Sequence, residues 1–311
     1  MKKEEFYYDS KDGLTKIRAM RYIPDGDIRA VLQIAHGMVE FIDRYEAFAN
    51  YLCDLGYLVT GNDHLGHGES VTDIKNWGYF AKEDGYNIVL EDMHNLTLIT
   101  KDLFPNKPYF LLGHSMGSFF CRLYITRYAS ELNGAIIMGT GNQAPATLKA
   151  GKLLCRMIAT NKGWKHRSKT VNATAIGSYN KKWEPSLTHL DWLTKDMDSV
   201  IKYANEPKNQ FVFTLNGYYN LFGCIEEVIN IDNIKKMPKE LPILIVSGED
   251  DPVGNFSKDP KDLTETFKKV DMQDVSLKLY PNDRHEILNE TDRLNVYKDI
   301  YDWMESKLIL R

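Results

Sequence analysis

Cysteine is scarce in this chain, four residues in 311, and Cys53, Cys121, Cys155 and Cys224 stand too far apart to form a C-x-x-C pair. Neither a zinc site nor a redox-active dithiol is signalled, and buried free thiols are the expectation. Long apolar runs are missing as well. Even FFCRLYITRY is interrupted by Arg122 and Arg127, so no segment approaches the ~18 uncharged apolar residues of a spanning helix. The opening MKKEEFYYDS has a basic start with no apolar stretch behind it, which argues against a cleaved signal peptide and for a cytoplasmic protein. Membrane contact would then be peripheral. Excess positive charge is absent too. The net charge is -4 and 43% of residues are hydrophobic, a soluble globular composition without the basic footprint of a nucleic-acid binder. No internal repeat or low-complexity tract interrupts it.

What is present is alternation. Two N-terminal runs, Glu5 to Asp9 and Thr15 to Tyr22, flank the turn Lys11-Asp12-Gly13 and read as a β-hairpin. Compact runs of buried-strand type follow at Ala30 to Ala35, Tyr57 to Gly61, Tyr109 to Gly113, Ala135 to Gly139, Ile243 to Ser247 and Val275 to Tyr280. Amphipathic stretches lie between them, at Arg44 to Leu55, Gly85 to Leu103, Met116 to Tyr128, Lys261 to Val270 and Asp292 to Lys307. This is the order of an α/β protein with a mostly parallel, eight-stranded sheet flanked by helices. The interval from 141 to 239 holds far more chain than a crossover needs, with helical patches and no strong strand. The expected organisation is a core of residues 1–140 and 240–311, with 141–239 as an inserted helical cap and its return to the core.

Chemistry collects at the strand ends, where an open α/β sheet places its ligands. Gly113-His114-Ser115-Met116-Gly117 follows the run YFLLG and precedes a helix. That strand, sharp turn and helix is the elbow that lifts a nucleophilic serine out of an α/β-hydrolase sheet. Small neighbours are required because the turn brings backbone close on both sides of the serine. In this fold the acid and then the histidine follow the serine along the chain. His285 is the only histidine after His189, and it sits in a polar loop between the last strand run and the final helix. The acid is expected after ILIVS, in Gly248-Glu249-Asp250-Asp251-Pro252. Asp251 is favoured over Asp250 by its G-x-x-D spacing and by the following proline, which holds the loop extended. Two backbone N–H groups should receive the oxyanion, those of Met116 and of Met38 in the loop after AVLQIA.

His36-Gly37-Met38-Val39-Glu40 with Arg44-Tyr45, the loop Asp63-His64-Leu65-Gly66-His67-Gly68-Glu69-Ser70 and the elbow GHSMG together resemble the monoacylglycerol lipase and lysophospholipase-like branch of the α/β-hydrolases. GEDD before Asp251 and RHEILNE around His285 extend the likeness, which fades through the cap. The resemblance implies a carboxylic ester hydrolase with a mobile helical cap over an acyl-binding pocket, acting on monoacylglycerol, lysophospholipid or other small acyl esters. It also implies that Met38 and Met116 stand at the oxyanion positions. A peptidase or amidase, an acyltransferase, or a catalytically silent binding protein would use the same frame.

Asp63, His64, His67 and Glu69 are potential ligands, but their spacing matches no helical zinc motif and the triad chemistry needs neither metal nor cofactor. Asp63 and His64 read as loop-fixing residues, and His36 as a hydrogen-bonding member of its own loop. From 141 to 182 there are nine basic residues and no acidic one: Lys149, Lys152, Arg156, Lys162, Lys165, Arg167, Lys169, Lys181 and Lys182. A solvated face is the ordinary meaning of such a run. Interleaved with Leu153, Leu154, Met157, Ile158 and Trp164, it also suits peripheral contact with anionic lipid.

A histidine base must be neutral to accept a proton. Ester hydrolysis is therefore expected to rise with pH through the ordinary histidine range near ~6.5. A rate flat from roughly pH 5 to 8, under conditions where chemistry limits turnover, is the result that excludes such a base.

Overall fold

The computed structural model describes residues 1–71 and 73–308. Strands β1 (Lys2–Asp9), β2 (Lys16–Ile23), β3 (Ala30–Ala35), β4 (Tyr57–Asn62), β5 (Tyr109–His114), β6 (Gly134–Met138), β7 (Ile243–Gly248) and β8 (Val275–Tyr280) form one eight-stranded sheet. Its spatial order is β1-β2-β4-β3-β5-β6-β7-β8. β2 pairs antiparallel with both β1 and β4, and every pairing from β4 through β8 is parallel. All residues of β3 to β7 are buried, as parallel strands covered on both faces must be.

The helices are α1 (Glu46–Asp54), α2 (Gly85–Leu103), α3 (Met116–Arg127), α4 (Pro145–Lys162), α5 (Lys169–Ile176), α6 (Met197–Asn205), α7 (Leu215–Ile229), α8 (Ile231–Ile234), α9 (Lys258–Lys269) and α10 (Arg293–Leu308). The two-residue period of a strand divides the core between the faces. Phe110 and Leu112 of β5 pack with Phe48 and Leu52 of α1 and Val296 and Ile300 of α10. Tyr109 and Leu111 point to the other face, with Met93 of α2, Phe120 of α3 and Phe267 of α9. Each fully buried Phe or Leu contributes about 1.5–3 kcal/mol, enough to set the register of every central strand.

Between β6 and β7 the chain carries α4 to α8. Leu148, Cys155 and Ala159 of α4 share a cluster with Leu221 and Cys224 of α7, which in turn joins the face holding Phe120. Gly151 permits that approach, since a Cβ there would lie 2.8 Å from the Phe222 ring. Among the described residues no helix is long and apolar enough to cross a membrane.

Element bounds follow the expected ones closely, with three departures. β1 begins at Lys2 instead of Glu5, because Lys2 to Glu4 pair with Arg21 to Ile23 through their backbone while their charged side chains stay at the sheet edge. α9 begins at Lys258, ahead of Pro260, where a missing N–H in the first turn costs nothing. Arg44 lies in a 3-10 turn, Ile42–Tyr45, that precedes α1.

Candidate active site

The turn after β5 is jammed into the sheet. A Cβ on Gly117 would lie 2.0 Å from the Ala35 carbonyl oxygen, and one on Gly113 would lie 2.2 Å from the Gly117 carbonyl oxygen. Between them Ser115 takes φ 53° and ψ -119°, a conformation an L-residue holds only when its surroundings enforce it. Its N–H donates to the Met138 carbonyl at 3.0 Å, so β6 pins the turn. Met116 is the first residue of α3. The loop after β3 comes close, with the Ser115 Cβ 3.0 Å from where a Gly37 side chain would begin. Ser115, Met116, Met38 and His285 line one cavity.

His285 and Asp251 are brought together from separate loops, and both are buried. His285 Nδ1 lies 2.9 Å from Asp251 Oδ2 and 3.0 Å from Oδ1. The Val253 N–H donates to Asp251 Oδ1 at 2.8 Å, which orients the carboxylate. Asp250 points elsewhere and pairs with Lys182 at the surface. The aspartate after G-x-x and not its neighbour thus faces the imidazole.

Behind the serine lies a buried polar cluster that the motif marked without revealing its wiring. Arg44 Nη1 contacts Glu40 Oε2 at 2.5 Å and Glu286 Oε1 at 2.8 Å, and its Nη2 contacts Glu286 Oε2 at 2.6 Å. Glu40 Oε1 accepts from the Gly37 N–H and, at 2.8 Å, from the Tyr45 hydroxyl. One guanidinium therefore joins the Met38 loop to the loop carrying His285. Burial raises the Glu40 carboxyl, but its hydrogen bond with His114 and the Arg44 charge outweigh this and hold it well below the usual carboxylate range. Val39, next along, sits at φ 59°, and the Tyr203 hydroxyl of α6 donates to its carbonyl at 2.9 Å.

The loop after β4 is a second support. Asp63 Oδ1 accepts from the Ile42 N–H at 2.9 Å, while Oδ2 accepts from the Glu69 N–H at 2.8 Å and Arg18 at 3.2 Å. His36 Nδ1 lies 2.7 Å from the Gly37 carbonyl, and its Nε2 accepts from the His64 N–H at 2.9 Å. The His36 and Asp63 side chains thus hold backbone, the loop-fixing task expected of Asp63 and the loop bonding expected of His36. Among the described residues the His64 ring hydrogen-bonds only with the Asn62 side chain, at 3.4 Å, and it is the His64 N–H that is held.

Composition and spacing offered no signal for the contacts between 191–196 and the histidine loop. Leu193 O accepts from the Glu286 N–H at 2.7 Å, Arg284 donates to the Asp191 and Thr194 carbonyls, and Lys195 pairs with Asp283. The Trp192 ring lies 5.1 Å from that of His285. These are pairings of residues far apart in sequence, and nothing local announces them.

The cavity measures about 1320 Å³. Leu148, Leu154, Phe119, Tyr218, Leu221 and Phe222 give it an apolar wall. Among the described lining residues there is no Lys or Arg, whereas Glu184 and Asp259 are present. Burial raises the Asp259 carboxyl. Leu153 and Met157 of α4 and Trp164 beyond it face outward, 59%, 62% and 37% exposed.

Comparison with known proteins gives a consistent picture. The sequence pattern described as "Serine aminopeptidase, S33" matches residues 26–292. The chain is 26% identical over 300 residues to a monoacylglycerol lipase of Mycolicibacterium smegmatis, covering 92% of each chain. It is 25% identical over 288 residues to the monoglyceride lipase of Homo sapiens, covering 91% of this chain and 85% of that one. The crystal structure of a thermostable carboxyl esterase from Bacillus coagulans in complex with glycerol superposes with a TM-score of 0.91 at 30% identity, covering 98% and 99% of the two chains.

Removing Arg44 would leave two carboxylates buried without their cation. Arg44→Ala is expected to lose about 3–5 kcal/mol of stability, measured as a drop in the denaturation midpoint. A loss below about 1 kcal/mol, the range of an exposed pair, is the outcome that removes the clamp from this account.

Proposed function

For a chain that belongs to the serine aminopeptidase S33 family of α/β-hydrolases, monoglyceride lipase-like within it and a carboxylic ester hydrolase, we propose Ser115 as the nucleophile. His285 is its base, Asp251 the orienting acid, and the N–H groups of Met38 and Met116 the oxyanion donors. The observation that carries this reading is the buried 2.9 Å contact of His285 Nδ1 with Asp251 on the wall that Ser115 shares.

In this reading His285 Nε2 takes the hydroxyl proton as Ser115 Oγ attacks the ester carbonyl. The carbonyl oxygen becomes an oxyanion and rests on the two amides, a contribution of about 2.7–4 kcal/mol per donor in comparable sites. The imidazolium passes its proton to the departing alcohol and an acyl-serine remains. Water, deprotonated by the same histidine, then releases the carboxylic acid. Asp251 keeps the tautomer correct throughout and stabilises the charged ring.

The substrate class is read from the wall. A cavity with an apolar lining, four carboxylates and no Lys or Arg among its described residues favours a neutral acyl ester such as a monoacylglycerol over an anionic lysophospholipid. Residues 141–239 form the cap of this reading, with α4 as its outer face. Leu153, Met157 and Trp164 stand exposed beside Lys149, Arg156 and Lys162, which suits docking on an anionic lipid surface. Arg156, though exposed, donates to the Tyr219 hydroxyl, and other members of the basic run are engaged elsewhere. Lys152 pairs with Glu226, and Arg167 donates to the carbonyls of Ile74, Lys75 and Trp77.

Labelling by a fluorophosphonate and hydrolysis of medium-chain monoacylglycerol should both vanish in Ser115→Ala. Asp251→Asn is expected to cost on the order of 10⁴ in kcat, while Asp250→Asn stays within a few-fold. Equal losses for the two aspartate variants would overturn the acid assignment. Retained labelling in Ser115→Ala would overturn the nucleophile.

The docking reading has its own measurement, co-sedimentation of the Ser115→Ala protein with anionic and neutral vesicles. Changing Lys149, Arg156 and Lys162 to Glu should reduce anionic binding strongly, since each basic residue at a charged surface supplies ~1 kcal/mol. The difference should shrink at high salt. Binding that ignores both lipid charge and these reversals leaves a solvated face.

A further inference from the structure

His114 stands directly before Ser115, is 3% exposed, and has no part in the proton transfers above. Both of its ring nitrogens face oxygen. Nδ1 lies 3.1 Å from Glu40 Oε1 and 3.0 Å from the Tyr45 hydroxyl, and Nε2 lies 3.3 Å from the main-chain carbonyl of His285. Tyr45 has a single hydroxyl proton, and its 2.8 Å contact with the same Glu40 oxygen uses it. A bare Nδ1 would then set a lone pair against a carboxylate oxygen with no proton between them, so Nδ1 carries hydrogen. A carbonyl oxygen only accepts, so the nitrogen facing it carries hydrogen too. A ring protonated at both nitrogens is an imidazolium.

Charge balance leads to the same state. The groups facing His114 are Glu40, Arg44 and Tyr45 from the segment after β3, and His285 and Glu286 from the base loop. Two carboxylates surround one guanidinium, which leaves a buried negative charge unless His114 is positive, and an unpaired buried charge is expensive. Burial alone would lower the basicity of His114, but the hydrogen bond and charge of Glu40 outweigh it and the net direction is upward.

The ring also lies against the proposed base. The centroids of His114 and His285 are 4.8 Å apart. They meet where Gly139, at φ 59°, has no side chain: a Cβ there would lie 3.2 Å from both His114 Cδ2 and His285 Nδ1.

We infer that His114 is a protonated positioning residue: it ties the Glu40 loop to the base loop, and its charge cancels that of Glu40 beside the proposed base. The second half rests on the proposed role of His285. The first half does not, because the protonation state of His114 belongs to the resting protein.

Nuclear magnetic resonance of the full chain carrying 15N-labelled histidine tests it, with His114 identified by through-bond correlation to its backbone and by its absence in His114→Gln. Protons on both ring nitrogens, unchanged from roughly pH 6 to 8, are expected where an ordinary histidine titrates. One proton, or titration within that interval, overturns the inference while leaving the triad untouched.

The charge effect is read from the acid limb of kcat/KM. His114→Gln leaves Glu40 uncompensated and should move that limb to higher pH, since an added nearby negative charge favours the protonated base. Glu40→Gln removes the carboxylate and with it the reason for the proton, so the limb should stay in place even if kcat falls. A limb that stays put in His114→Gln, or moves equally in both variants, overturns the electrostatic role.

Discussion

The turn at Ser115 is the constraint around which the rest is arranged. A serine at φ 53° costs on the order of 1–3 kcal/mol and persists only where its neighbours leave no alternative. Here the neighbours are backbone. Ala35 ends β3 against Gly117, Gly117 closes against Gly113, and Met138 of β6 accepts from the serine's own N–H. The elbow is therefore a property of three adjacent parallel strands. Their cores on both faces, built from residues such as Phe110, Leu111, Ala135 and Ile136, supply the stability that offsets the strain.

The loops bearing the other proposed groups lie outside the strand ladders, and the structure holds them by charge. Arg44 joins Glu40 to Glu286, so the Met38 loop and the His285 loop share one guanidinium. A buried ion pair adds little net stability by itself, but it makes alternative loop positions costly because they would strand a charge. Segment 191–196 adds a second restraint from the opposite direction, through Leu193, Arg284 and Lys195. What joins β6 to β7 is thus also part of what positions His285.

Charge is sorted between inside and outside. The cavity wall presents carboxylates and no Lys or Arg among its described residues, while Lys149, Arg156 and Lys162 stand outside on α4. In the proposed reaction a neutral ester enters and a carboxylate is formed. The carboxylates of the wall disfavour that product, while the exposed basic side chains of α4 lie outside the cavity.

Fold class and the grouping of most residues of the candidate site were legible because they depend on short-range regularities. Buried parallel strands must be continuous apolar runs, a sharp turn needs glycines at fixed spacing, and the order of Ser115, Asp251 and His285 is a one-dimensional property. The preference for Asp251 over Asp250 came from its G-x-x-D spacing and the following proline, and in the structure Asp251 faces His285 while Asp250 pairs with Lys182. What only the tertiary structure decided depends on partners distant in the chain. Arg44 meets Glu286, His114 meets the His285 carbonyl, and Trp192 meets the His285 ring, pairings between residues whose local sequence says only that they are polar or aromatic. The basic run of 141–182 shows the same limit. Its charge was plain in the sequence, but which members hold the structure, as Lys152 and Arg167 do, and which face solvent depended on the turn of α4 and on where its neighbours lie. Composition counts charges, and only packing determines which of them are already paired.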